Sequence, residues 1–140
     1  MDALELVPLC KVTIPVSDVF TVENAPTGTL MVGELRDARF EGDRFKASQR
    51  GVACADWLNV TPSGTSIPDV RMTVETDDGA MVFIEYTGRM RMDTGVAFTA
   101  PTFRTGDERY GWLNDVQAVG KGFFDADAML VTYPMLYEVR

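Results

Sequence analysis

Histidine is absent from the 140 residues, and cysteine occurs only twice. Without histidine the chain cannot form a Ser-His-Asp or Cys-His nucleophile, nor a His-ligated zinc or iron site. Two cysteines cannot complete a structural zinc site. Carboxylate-bound calcium or magnesium stays open, although no Asp-rich loop has EF-hand spacing. We therefore expect no metal and no cofactor, and any proton transfer must use Asp, Glu, Tyr, Lys, Cys or water.

Clusters of positive charge and long apolar runs are also lacking. Thirteen Lys and Arg stand against 21 Asp and Glu, a net charge of -8, so we expect neither nucleic acid nor anionic lipid as a partner. No apolar run approaches the ~20 residues that span a bilayer. An acid, Asp2, stands where a signal peptide would carry bases, which makes the cytoplasm the expected compartment. Cys10 and Cys54 then are expected to be reduced, buried thiols.

What the chain does contain is typical of one globular domain over residues 1–140. Hydrophobic residues make up 46% and charged residues 24%, which argues against disorder. No repeat, linker or low-complexity tract divides the sequence.

Period-two alternation of apolar residues recurs along the chain, whereas helical periodicity is scarce. The clearest hairpin joins 71–76 to 80–86 through Asp77-Asp78-Gly79, a sequence suited to tight turns. The other strands are expected at residues 9–16, 30–40, 44–49, 56–60, 98–104, 110–119 and 129–139. Gly106, Gly120 and Gly122 are expected in turns. Short, evenly spaced strands predict an antiparallel sandwich or barrel.

Two of these segments say more about packing. The last strand places Met129, Val131, Tyr133, Met135, Tyr137 and Val139 on one face, an apolar row typical of a barrel wall. The segment 81–84 is apolar on both faces, so it is expected to be covered on the outside as well. A homodimer interface would explain this cover, and so would a capping loop. We expect the homodimer.

Asp56 is a candidate for acid-base chemistry because it alternates with Cys54, Leu58 and Val60. A carboxyl group that faces an apolar interior has a raised pKa, which suits it to proton transfer near neutrality. Alternatively, Trp57 faces inward and Asp56 lies in solvent or bonds to a turn.

A second candidate group comprises Tyr110, Trp112 and Asn114, which share a face of a predicted strand. A phenol, an indole and a carboxamide on an apolar wall could orient a small ligand. The alternative is an aromatic pair in the core, with Asn114 bonded to backbone.

Arg71 belongs to a polar row with Asp69, Thr73 and Glu75. Simple alternation places this row on the surface as a ladder of charges. Inside a cavity, Arg71 would instead be a fixed cation for an oxyanion, and it would need a carboxylate partner. We place Arg71 in the same cavity as Asp56, against simple alternation, because a ligand-binding barrel can have a polar lumen. The family resemblance in the next paragraph, which keeps Asp69 and Arg71 together, is the second reason.

Four motifs in order resemble the domain of unknown function 3237 family, also called uncharacterised protein family 0311, over residues 7–139. They are Phe40-Glu41-Gly42, Ala55-Asp56-Trp57, Asp69-Val70-Arg71 leading to Thr76-Asp77-Asp78-Gly79-Ala80, and Tyr110-Gly111-Trp112-Leu113-Asn114. The resemblance implies an all-β fold, a single antiparallel up-and-down barrel of lipocalin-like or allene-oxide-cyclase-like type, often dimeric, with a central cavity. The positions it carries over are Glu41, Asp56, Trp57, Arg71, Tyr110, Trp112 and Asn114. Ala53-Cys54, where family members often carry Gly-Gly, and a short segment 90–97 depart from the pattern.

These observations favour a cofactor-independent lyase or isomerase acting on a hydrophobic small molecule inside the barrel. Asp56 would move the proton, while Arg71, Tyr110 and Asn114 would hold the developing oxyanion. Trp57 and Trp112 would form apolar walls, and Glu41 would help bind the ligand. The alternatives are a lipocalin-like carrier without chemistry and a structural protein with a fully packed barrel.

Overall fold

A computed structural model describes residues 2–140 and shows an all-β fold. Its strands are β1 (Leu6–Ala25), β2 (Gly28–Leu35), β3 (Arg39–Glu41), β4 (Lys46–Gln49), β5 (Ala55–Val60), β6 (Ser66–Ile67), β7 (Asp69–Thr76), β8 (Met81–Met90), β9 (Val96–Thr99), β10 (Thr102–Arg104), β11 (Ala118–Asp125) and β12 (Leu130–Val139). A 3₁₀ helix (Glu108–Asp115) lies between β10 and β11.

The strands form a closed antiparallel barrel, as the sequence predicts. β1 pairs with both β2 and β3. β2 in turn pairs with β5, and β3 pairs with β4. Both β5 and β4 pair with β7. β8 joins β7 to β9, and β11 and β12 lead back to β1. Neighbours in the barrel thus follow chain order, which is the up-and-down arrangement. The predicted Asp77-Asp78-Gly79 turn closes β7 and β8, with Gly79 at a φ of 94°.

One half of the barrel is filled by aromatic side chains. The ring of Phe45 lies 5.8 Å from those of Phe40 and Phe103 and 6.5 Å from that of Tyr110. Leu113 of the 3₁₀ helix is fully buried in the same cluster. These contacts close one end of the barrel, which we call the packed end.

The predicted strand at 110–119 is wrong in its first part. Residues 108–115 form the 3₁₀ helix, which Asp107 caps by accepting a hydrogen bond from the Arg109 backbone N–H at 3.0 Å. β11 begins only at Ala118. Gly120 and Gly122 consequently lie inside a strand and not in a turn, so that prediction is also wrong.

The apolar row of the last strand is confirmed only at Val131 and Tyr133, since Met129 lies in the preceding turn at a φ of 51°. Val131 and Tyr133 pack inward, but Leu136 and not Met135 is the next buried side chain. The register between β1 and β12 shifts near Cys10, which moves the inward face by one residue. An irregularity of this kind is a β-bulge, and alternation alone cannot locate it.

The outer face of β8 is only partly covered within one chain. Met81 remains 45% exposed, while the Arg104 guanidinium lies 4.8 Å from the centre of the Phe83 ring. The homodimer stays a prediction. Cys10 and Cys54 are confirmed as free, buried thiols. Among residues 2–140, no helix is both long enough and apolar enough to cross a membrane.

Candidate functional site

A cavity of about 130 Å³ lies in the half of the barrel away from the packed end. Most of its wall is aliphatic, with Ile14, Leu58, Val70 and Val131 among the lining residues. Methionines and an aromatic ring line it as well: Met31, Met90, Met92 and Phe124. Because Met92 is 48% exposed, the cavity reaches solvent at the hairpin between β8 and β9.

One row of the sheet brings an acid and a phenol to the same inner wall. Gly33 pairs with Asp56, Asp56 with Val70, and Val70 with Tyr86, across β2, β5, β7 and β8. Directly paired residues point to the same face of a sheet, and all four line the cavity. A Cβ atom added at Gly33 would meet only the Val16 side chain and the Asp56 carbonyl oxygen, at 3.7 and 4.0 Å. Gly33 therefore creates part of the open volume.

Asp56 is held in this wall by a backbone hydrogen bond. Its Oδ1 accepts from the Asp69 N–H at 3.0 Å, while its Oδ2 accepts from no described residue. Burial raises the Asp56 pKa from 3.8 to about 6. The Asp69 N–H opposes this rise, and the charge of Asp69 adds to it. Near neutrality the group can thus both take and return a proton.

Two phenols, Tyr86 and Tyr133, form the other polar part of the cavity lining. The rings of Tyr86 and Tyr133 meet edge to face, with centroids 6.3 Å apart. Thr99 Oγ1 donates a hydrogen bond to the Tyr133 hydroxyl at 3.1 Å. Burial raises the pKa of both phenols, while hydrogen bonds from Thr99 and Tyr86 act in the opposite direction at Tyr133. Tyr133 therefore accepts a hydrogen bond from Thr99 and stays protonated at neutral pH.

The glycines of β11 make the position of Tyr133 possible. A Cβ atom at Gly122 would lie 2.7 Å from the Tyr133 ring, and one at Gly120 would lie 2.9 Å from it. Real Cβ atoms do not approach so closely, so the ring occupies the space that two side chains would otherwise fill.

The cavity has a single charged group in its lining. Asp56 is the one ionisable acid or base among the described lining residues apart from the two phenols. Within residues 2–140, no three His, Cys, Asp or Glu side chains come together in a way that could hold a metal ion. The arrangement suits proton transfer to and from a ligand whose remaining surface is apolar.

A family model described as a protein of unknown function (DUF3237) matches residues 4–139. The chain belongs to this family. None of the curated proteins compared with it matches.

Solved barrels resemble this DUF3237 protein along its whole length. A β-barrel-like protein from Acinetobacter baumannii AYE is 24% identical, with a TM-score of 0.87 and coverage of 100% of this chain and 98% of that one. A conserved protein of unknown function from Rhodopseudomonas palustris is 21% identical, with a TM-score of 0.87 and complete coverage of both chains. An enzyme from Penicillium herquei is 18% identical, with a TM-score of 0.74 and coverage of 99% and 94%. At these identities the likeness shows the fold alone.

Of the predicted site residues, only Asp56 lines the cavity of this DUF3237 barrel. The placement of Arg71 inside is wrong, because its side chain is 49% exposed on the outer face of β7. Its guanidinium lies 4.3 Å from the centre of the Trp57 ring and 4.0 Å from Asp69. Trp57 also faces outward, since it follows the inward Asp56 in the strand. Simple alternation, which places Arg71 on the surface, is correct.

The other predicted residues lie outside the cavity as well. The side chains of Tyr110 and Trp112 pack against the buried core at the packed end of the barrel. The Tyr110 hydroxyl donates a hydrogen bond to Asp78 at 2.8 Å. Asn114 binds the backbone N–H and carbonyl of Thr105, at 2.9 and 3.0 Å. The Asn114 contacts match the alternative of a backbone-bonded amide. Tyr110 and Trp112 each pack against the core rather than against each other, Tyr110 beside Phe45. Glu41 is exposed on β3.

Sequence reasoning missed Tyr86, Tyr133 and Thr99 as site residues. A signal for Tyr86 was present, because the predicted hairpin at 71–86 fixes which residues of its second strand share a face with Val70. Tyr133 stood in the apolar row assigned to the barrel wall. Thr99 carried no signal, since its role depends on the β9 register opposite Gly88 and Gly120.

Proposed function

We propose that the protein is a cofactor-independent lyase or isomerase that moves a proton on a small hydrophobic molecule held in the barrel cavity. The observation that carries this proposal is Asp56. It is a carboxyl group in a mostly apolar cavity, with one oxygen that accepts from no described residue, and burial raises its pKa to about 6. Acids tuned in this way are typical of general acid-base catalysts.

In this mechanism Asp56 and the phenols act together on one ligand. Asp56 and Tyr86 stand two strands apart in the same row, about 9–10 Å between backbones, with Val70 between them, so a small molecule lying over Val70 would contact both. The Asp56 carboxylate takes a proton from the ligand. The hydroxyls of Tyr86 and Tyr133 face the side on which negative charge develops, where hydrogen-bond donors stabilise an oxyanion. They replace Arg71, Tyr110 and Asn114 in that role.

The description of the Penicillium herquei barrel as an enzyme supports catalysis on this fold. Fold alone does not determine function, so the proposal depends on the cavity and its acid. The lining in turn favours one second candidate, a carrier without chemistry. Nearly all of the wall is apolar and the mouth is lined by methionines, which adapt to varied ligands.

The experiment that separates the two begins with native mass spectrometry of the purified protein to identify a molecule that co-purifies with it. Binding and conversion of that molecule are then measured for the wild type, Asp56→Asn and Glu41→Gln. An enzyme keeps binding in Asp56→Asn and loses conversion, while Glu41→Gln, an exposed acid outside the cavity, retains both. A carrier shows no conversion in any of the three, and that result would overturn the proposal.

A further inference from the structure

We propose that the ligand is a small neutral carbonyl compound whose oxygen accepts a hydrogen bond from Tyr133 while a neighbouring C–H faces Asp56. This inference rests on the proposed function and names its substrate class. It follows from the charge, the hydrogen-bond pattern and the size of the cavity, taken in turn.

The charge of the cavity disfavours an anionic ligand. None of the 13 Lys and Arg residues is among the described residues that line it, and the nearest ones along the sheet point outward, as Arg71 does. An anion would have to enter an apolar space beside a carboxyl group, with no partner for its charge. A cation could form an ion pair with Asp56, but Asp56 would then no longer be free to act as the base.

The hydrogen bonds around Tyr133 leave it with one proton to donate. Thr99 Oγ1 donates to its oxygen at 3.1 Å. A phenol has one O–H donor, and Thr99 does not take the Tyr133 proton. That proton requires an acceptor, and a carbonyl oxygen in the cavity supplies it. Thr99 is a positioning residue in this arrangement.

The size of the cavity limits the ligand to about one ring. An apolar cavity of about 150 Å³ engineered in another protein binds benzene, and the cavity here is about 130 Å³ with an open mouth. A six-membered cyclic ketone is of this size. Substituents can extend past Met92 into solvent.

The chemical step balances without a co-reactant. The Asp56 carboxylate removes a proton from the carbon next to the carbonyl, so a C–H bond breaks and an O–H bond forms on Asp56. The electron pair forms a C=C bond as the carbonyl oxygen becomes an enolate, which the Tyr133 O–H stabilises. Return of the proton from Asp56 to the same or another carbon restores a ketone, exchanged or isomerised.

The test uses four probes of similar size: cyclohexanone, methylcyclohexane, cyclopentanecarboxylate and cyclohexylammonium. Calorimetry measures their binding, and the infrared carbonyl frequency of bound cyclohexanone reports its hydrogen bond. We expect cyclohexanone to bind more tightly than either charged probe. We also expect a lowered carbonyl frequency and, in Tyr133→Phe, loss of that lowering with about tenfold weaker binding.

Matched variants locate these effects. Tyr110→Phe removes a phenol outside the cavity and should change neither measurement. Gly33→Leu fills the cavity from a position with ordinary backbone geometry and should abolish binding of cyclohexanone. Thr99→Val should reduce the carbonyl shift and Thr99→Ser should retain it, because only the serine keeps the hydroxyl that orients Tyr133.

Tighter binding of the carboxylate or the ammonium probe than of cyclohexanone would overturn the inference, as would a carbonyl frequency that Tyr133→Phe leaves unchanged. Deuterium exchange at the C–H next to the carbonyl, followed by NMR in D₂O, tests the proposed function separately. If cyclohexanone binds through Tyr133 without exchange that depends on Asp56, the ligand class stands and the proton-transfer function fails. If a co-purifying molecule without a carbonyl group is converted through Asp56, the function stands and the ligand class fails.

Discussion

Replacing Asp56 by asparagine should stabilise the protein at neutral pH. The folded state keeps the Asp56 proton up to about pH 6, whereas the unfolded chain releases it near 3.8. Between these values the folded state binds more protons, so the free energy of unfolding falls as pH rises. Asparagine has no charge to desolvate and keeps an oxygen for the Asp69 N–H. Its advantage should therefore grow with pH.

The magnitude follows from the size of the pKa change. At about 1.36 kcal/mol for each pH unit, raising a carboxyl pKa from 3.8 to about 6 costs the folded state about 3 kcal/mol above pH 6. Access of water through the mouth of the cavity lowers this to about 2–3 kcal/mol. About half of this pH-dependent change in the free energy of unfolding occurs between about pH 5 and pH 8. This range lies above the pI of about 4.4.

Urea unfolding of wild type, Asp56→Asn and Glu41→Gln across this range provides the assay. The advantage of Asp56→Asn should rise by about 1–1.5 kcal/mol from about pH 5 to pH 8, while Glu41→Gln tracks the wild type. An advantage that stays constant or shrinks with rising pH would refute the reasoning, because the carboxylate would then not be desolvated in the fold.

Four further outcomes are expected. Arg71→Met should lower the free energy of unfolding by no more than about 1 kcal/mol in urea melts, because the guanidinium lies in solvent; a loss of 3 kcal/mol would indicate a buried pair. Gly122→Ala should destabilise by about 1–3 kcal/mol in the same assay, since its Cβ would clash with Tyr133, and an unchanged midpoint would contradict this. Sedimentation should show a dimer that Phe83→Asp weakens, and a wild-type monomer at micromolar concentration would exclude it. Because burial raises the pKa of Cys10 to about 12, a thiol reagent should react with Cys10 only after unfolding, and rapid labelling of native protein would argue against that.

The sequence predicted the barrel because local signals and global pattern agreed. The 71–86 hairpin has the right turn residues, and its alternation matches the observed burial of Val70, Met72 and Val74. For Asp56, alternation leaves both faces open, because Trp57 could face inward instead, and the structure shows Asp56 on the inner face. Alternation places Arg71 on the surface, as observed, whereas the inward position inferred from the family pattern is wrong.

The rest of the site could not be read from the sequence because it depends on non-local register. Tyr133 reaches the cavity because two glycines of β11, 11 and 13 residues before it in the sequence, leave space for its ring. Their sequence pattern is that of turn residues. Thr99 meets Tyr133 only after β9, β11 and β12 are aligned. The segment 108–115 was misread because alternating Tyr110 and Trp112 mimic a strand, while a capped 3₁₀ helix buries Leu113 instead.

The aromatic cluster around Phe45 has a consequence for how this barrel tolerates change. Rigid rings and the 3₁₀ helix anchor one end, so the fold does not rely on dense packing at the other. Substitutions at Met31, Met90 or Met92 can therefore alter which molecules enter with modest loss of stability, whereas truncation of Phe45 should cost about 3–5 kcal/mol. A library randomised at the three methionines would explore ligand choice on an intact scaffold.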